Sequence, residues 1–207
     1  MKKFLVLALF ILSLTVGFVQ AKEKNTMPVI KFAGAKYYLL YSAKSSETGG
    51  FLNEYYKANQ TYASWTELIG IHHYPTAFYP IEHAKEFNEY LNKNGVVSNI
   101  EIDDTNNTAL IYFIIMNDAK LPIIMEFNIF KYQKSPVCGS IGIQYARRYR
   151  LNNTFEINKA KKDILKKGMK YIKRLDKLKP PSIIELEVEN GKYLLKEGCN
   201  NDIKNLD

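Results

Sequence analysis

Hydrophobic and polar residues alternate along this chain in three ways, and the first is a solid block. Residues 4–18 carry no charge and are mostly Leu, Ile, Val, Phe and Ala. Lys2 and Lys3 precede the block, and Val19-Gln20-Ala21 follows it, just before the charged Lys22-Glu23-Lys24. A positive start, an apolar middle and small residues at −3 and −1 are the three parts of a cleavable secretory leader, here residues 1–21. A membrane span needs about 20 apolar residues, and this block is shorter.

The second pattern is period two, the spacing of a strand with one buried face. It predicts strands at 36–42, 51–57 and 64–74, the last with Trp65, Glu67, Ile69, Ile71 and His73 on one face and Leu68 and His72 on the other. Four more follow in quick succession at 96–103, 108–116, 123–132 and 140–150. The connectors between these four are short and rich in turn formers, which favours antiparallel neighbours. Residues 22–34 are polar and mixed and read as a flexible lead-in.

The third pattern is helical. Ile81, Ala84, Phe87 and Leu91 recur behind Pro80, and Lys93-Asn94-Gly95 supplies a basic last turn and a glycine stop. A second helix is expected over 158–178, with Ile164, Leu165, Met169, Ile172 and Leu175 as its core stripe. Lys162, Lys166, Lys170, Lys173 and Lys177 line its other side, and Pro180-Pro181 ends it. Beyond it, Asn190-Gly191 favours a type I′ turn between 183–189 and 192–197. That turn places Val188 opposite Tyr193 and Glu189 opposite Lys192, so register and turn agree.

The predicted class is therefore α+β: a curved antiparallel sheet covered by two long helices, with a C-terminal β-hairpin. One domain is expected over 35–179, followed by the hairpin and tail at 180–207. Ser64-Trp65-Thr66-Glu67-Leu68-Ile69, the stretch from Glu126 to Tyr132, and Gln144-Tyr145-Ala146-Arg147-Arg148 resemble small exported bacterial proteins of uncharacterised function. The element order is also similar to the PsbP-like sandwich. The resemblance implies a scaffold used for binding and assembly support, and it brings no catalytic residue with it.

Charge changes this picture at one place. The chain carries 29 Lys and Arg against 21 Asp and Glu. The excess concentrates in the second helix, so an electrostatic partner should meet that element rather than the whole surface. Arg147, Arg148 and Arg150 lie nearby in sequence. Anionic lipid head groups or an acidic protein are the candidate partners of this lysine face. Export and the absence of a recognisable motif argue against nucleic acid.

Two cysteines, Cys138 and Cys199, are candidates for one disulfide in an oxidising compartment. Other chemistry is thinner. His72 and His73 fall on opposite faces of one strand, so only one of them can join His83, with Glu82 or Glu86, around a metal. A Cys138 nucleophile would need His72 or His73 beside it as base. Paired carboxylates would have to come from Glu101, Asp103, Asp104 and Glu126. An aromatic groove would be built from Tyr37, Tyr38, Tyr41, Tyr55, Tyr56, Tyr62 and Trp65. The expectation is a periplasmic or secreted binding or accessory protein without cofactor, metal or catalytic set, and without a membrane anchor once the leader is removed. The alternatives are a small exported hydrolase using His72, His73 and Glu126, and a membrane-surface protein docked through the lysine helix.

Overall fold

Four residues that read as part of a polar lead-in open the sheet instead. The computed structural model describes residues 28–45, 48–179, 182–189 and 192–197. Its first strand, β1 (Val29–Phe32), buries Ile30 and Phe32 and pairs antiparallel with β2 (Ala35–Lys44). Ala33 and Gly34 between them both have positive φ, 51° and 87°, as a two-residue hairpin turn demands. β3 (Phe51–Lys57) and β4 (Glu67–Tyr74) continue the meander. After α1 (Pro80–Lys93) come β5 (Ser98–Asp103), β6 (Thr108–Asn117), β7 (Ile123–Lys134) and β8 (Ser140–Leu151), then α2 (Thr154–Asp176).

The eight strands form one open antiparallel sheet in the order β1-β2-β3-β4-β8-β7-β6-β5. β8 therefore inserts beside β4, and the second meander runs back towards the edge at β5. Two helices pack on opposite faces of this sheet. Alternate residues of β7 show it: Phe127 and Ile129 pack with Ile164 and Ile172 of α2, whereas Phe130 and Tyr132 pack with Ala84 and Leu91 of α1. The α+β class is as expected.

A third cluster, Tyr56, Trp65, Leu68 and Ala146, fills the part of the α1 face that α1 does not reach. Trp65 precedes β4 rather than belonging to it, so the strand alternation does not govern it. It packs with Leu68, not with Ile69 and Ile71 as the spacing had suggested.

The chain leaves α2 and returns across the sheet to β2 and β3. Ile183 is buried there, and the Asn53 side chain acts as a length of strand for its neighbour. Asn53 Nδ2 donates to Ile184 O at 2.6 Å, and Ile184 N donates to Asn53 Oδ1 at 2.9 Å. β9 (Ile184–Glu189) pairs antiparallel with β10 (Lys192–Glu197), with Val188 opposite Tyr193 and Glu189 opposite Lys192. Asn190-Gly191, Cys199 and the leader at 1–21 lie outside the described residues, so the turn, the proposed disulfide and the export signal are expectations from sequence.

Candidate anion-binding surface

α2 starts where two side chains satisfy backbone donors that a helix N-terminus leaves open. Asn153 Oδ1 accepts from Glu156 N at 3.0 Å, and Glu156 Oε2 accepts from Asn152 N at 2.8 Å. At the other end Lys131, a buried lysine on β7, donates to the Asp176 carbonyl and lies 3.6 Å from its carboxylate. A cation at a helix C-terminus complements the macrodipole. The helix is thus fixed at both ends.

Between those ends the buried stripe is Ala160, Ile164, Gly168, Ile172 and Leu175. This corrects the expected stripe, because Leu165 and Met169 point to solvent. Gly168 explains the rotation: a Cβ there would come 3.3 Å from Phe127 Cζ, so the helix rests its small-residue ridge on that ring. Ala160 and Gly168 let the backbone approach the sheet, and the bulkier Leu165 and Met169 are turned out. The signal lay in the sequence, as a glycine one turn from both Ile164 and Ile172.

A cleft lies between α2 and the end of β8. It measures about 680 Å³ and its cations are Arg147, Arg150, Lys159, Lys162 and Lys166. Two carboxylates line it, and both are occupied. Glu156 serves the helix start. Asp163 accepts from Tyr149 OH at 2.8 Å and pairs with Arg147 at 3.1 Å and Lys167 at 2.6 Å. Burial pushes the Asp163 carboxyl up, but the Lys167 and Tyr149 hydrogen bonds and the Arg147 charge hold it below its ordinary value. Arg150 donates to the carbonyls of Ala63 and Trp65, which ties its guanidinium to the loop before β4.

Of the five lysines singled out by spacing, Lys162 and Lys166 line the cleft, and Lys170, Lys173 and Lys177 continue along the exposed side of the helix. Among the described residues, Lys162, Lys166, Lys170 and Lys173 form no ion pair. Arg148 does not join them. It alternates to the other face, where it pairs with Glu126 at 2.7 Å and lies 3.6 Å over the Trp65 ring. Over Thr154–Asp176 the helix carries eight Lys and Arg against three acidic residues, and all three acids have partners within the fold. The cleft and the lysine side therefore form one electropositive surface, on which Arg147 and Lys167 are paired and Lys162, Lys166, Lys170 and Lys173 supply the excess charge.

The remaining candidates separate in space. His72 shares a face with Glu126, while His73 alternates to the other and stacks on Phe51, so no hydrolase site gathers all three. His72 bonds to Gln144 at 2.9 Å, and Gln144 donates to Asn128 Oδ1 at 2.9 Å. His73 Nε2 lies 2.9 Å from the Cys138 carbonyl and 3.6 Å from Cys138 Sγ. A carbonyl only accepts, so Nε2 carries the proton and is not a base for the thiol. Burial lowers the pKa of His72, His73 and His83 alike.

Glu101 accepts from Tyr112 OH, Asp103 holds Asn106, and Glu126 holds Arg148, two strands away, so these carboxylates make no acid–base pair. Glu54 accepts from Tyr56 OH, and burial, with Glu126 adding, pushes its carboxyl up. His83 meets the ring edges of Tyr74 and Tyr132. Among the described residues no three His, Cys, Asp or Glu side chains group to hold a metal. The aromatic groove does not form either: Tyr37, Tyr55, Tyr56 and Trp65 are buried in the sheet, Tyr38 and Tyr41 are half-buried, and Tyr62 alone of that set is exposed.

Fold and surface together define an α+β protein with an open eight-stranded antiparallel sheet and one strongly basic helix face. Residues 23–179 match a family model, and the chain belongs to that family of uncharacterised proteins. No curated protein and no solved structure matches it. No helix among the described residues is long and apolar enough to cross a membrane.

Proposed function

We propose that this chain is an exported bacterial binding or accessory protein, non-catalytic, whose working surface is the basic cleft and lysine side of α2. In this reading the leader at 1–21 carries it out of the cytoplasm, and a PsbP-like sandwich with its C-terminal hairpin is the scaffold. The observation that carries the proposal is the cleft itself. Lys159, Lys162 and Lys166, which form no ion pair among the described residues, line about 680 Å³ beside Arg147, while Glu156 serves the helix start and Asp163 is held by Arg147 and Lys167. A concave surface lined by exposed cations concentrates positive potential and attracts an anionic partner.

Two measurements test it. The intact mass of protein purified from its own cells, without reduction and with thiols blocked, is expected to begin at Lys22; a retained leader contradicts export. The processed protein is expected to bind immobilised polyaspartate with an affinity that falls as salt rises. Lys162→Glu with Lys166→Glu should abolish that retention while the circular dichroism is unchanged. Retention indifferent to both substitutions contradicts the assignment of the surface.

A further inference from the structure

We infer that the partner of this surface is a bilayer bearing anionic phospholipid, met by the outward side of α2 through Phe155, Leu165 and Met169 set among Lys162, Lys166 and Lys173. The inference rests on the anion-binding reading above and names its partner.

The observation behind it is the rotated stripe. Phe155, Leu165 and Met169 are 78%, 81% and 51% exposed. Isolated apolar residues on a surface are ordinary, but these three share one helix side. Leu165 and Met169 are one turn apart, and Phe155 lies about 15 Å nearer the N-terminus. Lysines are interleaved with them at helical spacing. Lys162 stands three residues before Leu165, Lys166 three before Met169, and Lys173 four after it.

A soluble polyanion would use the lysines and leave the three apolar side chains in water. An anionic leaflet uses both. The lysine stems reach along the apolar surface and keep their ammonium groups at the head groups, while Phe155, Leu165 and Met169 enter the acyl boundary. The geometry requires no unfolding, because the other side of α2 is already committed to the sheet through Ile164, Gly168 and Ile172. The Asn153 and Glu156 bonds at one end and Lys131 at the other hold the helix in place before it docks.

The test is flotation of the cell-processed protein with vesicles of phosphatidylglycerol and phosphatidylcholine, against vesicles of phosphatidylcholine alone. Binding to the anionic vesicles only is expected, weakening at least tenfold when salt rises from low to about 0.3 M. Reversing Lys162 and Lys166 to Glu should weaken it by about 25-fold or more, since each lysine near an anionic leaflet strengthens binding roughly fivefold. Leu165→Ser with Met169→Ser is the deciding variant. It alters no core residue, and every variant shares one N-terminus, so the leader cannot account for a difference between them. It should lose vesicle binding by tenfold or more and keep its polyaspartate retention. Vesicle binding unchanged by that variant overturns the inference. So does absent vesicle binding in a protein that still holds polyaspartate, which points instead to an acidic protein and leaves the proposed function standing. Loss of both in the unaltered protein overturns the two together.

Discussion

Replacing Asn53 with Ala should detach the segment that follows α2, and the structure sets the size of the effect. Asn53 is fully buried on β3 and its amide makes three useful bonds: to Ile184 O at 2.6 Å, from Ile184 N at 2.9 Å, and to Ser42 Oγ at 3.0 Å. Alanine removes both partners of the Ile184 backbone. Ser42 Oγ, which also donates to Ile184 O at 3.1 Å, keeps the carbonyl partly satisfied. The Ile184 N–H is left with no such relief. An unmet buried donor costs about 1–3 kcal/mol, and the bond lost at the Ile184 carbonyl adds about 1 kcal/mol, so a loss of about 2–4 kcal/mol follows. Asn53→Asp should be worse, because it keeps the acceptor for Ile184 N but buries a charge where the donor stood. Urea denaturation reads the global term, and amide hydrogen exchange at Ile183 and Ile184 reads the local one. Exchange there should accelerate before any other part of the sheet. A loss below about 0.5 kcal/mol with exchange unchanged would refute the reasoning, since the amide would then be ornamental.

Other outcomes follow from the same geometry. Gly139→Ala should lower the melting temperature sharply. A residue at φ 60° pays about 1–2 kcal/mol for its side chain, and the new Cβ would also meet the carbonyl of Tyr74 and, at 2.6 Å, that of Pro75; an unchanged melt contradicts this. Lys131→Met should cost about 1–2 kcal/mol in urea by leaving the end of α2 without its cation, and a neutral result would show that the carbonyl finds water instead. Stability should also fall as pH drops below about 6.5. Burial lowers the folded pKa of His72, His73 and His83, so the unfolded chain takes up protons first, at up to about 1.4 kcal/mol per pH unit from His72. Glu54, whose folded pKa is raised, works in the opposite sense and adds stability as the pH falls further toward its unfolded value. Urea midpoints at pH 7.5, 6.5 and 5.5 measure the slope, His72→Gln should flatten it, and a level profile would contradict the burial of neutral histidines.

How far the fold could be read depended on which force set each element. α1 came out with its bounds intact because its signals are local: a proline at the start, four apolar residues at helical spacing, and Asn94-Gly95 at the end. The strands from Thr108 onward were legible because each is long and alternates. β1 was missed because it is four residues long and its turn is Ala33-Gly34, where alanine gives no hint of positive φ. Strand alternation puts Trp65 on the face of Ile69 and Ile71, but Trp65 lies outside β4, where alternation does not hold.

The site shows the same division. Lysine density on the second helix is a property of sequence and was visible. Which side of that helix meets the sheet is decided by the fit of Gly168 over Phe127, and hydrophobicity alone favoured Leu165 and Met169 over a glycine. The approach of Arg147 to Lys162 and Lys166, and the departure of Arg148 to the other face, depend on β8 lying beside α2, a pairing across the fold that no spacing encodes.

The central claim is that the basic cleft and the lysine side of α2 are the working surface. Backbone amide shift mapping by NMR during a titration with polyaspartate tests it most directly. The account predicts shifts confined to residues 147–152 and 156–170, saturating together and fading as salt rises. Shifts centred on α1, or on the opposite face around Glu54, His72 and Arg148, would contradict it, as would a spectrum that does not move.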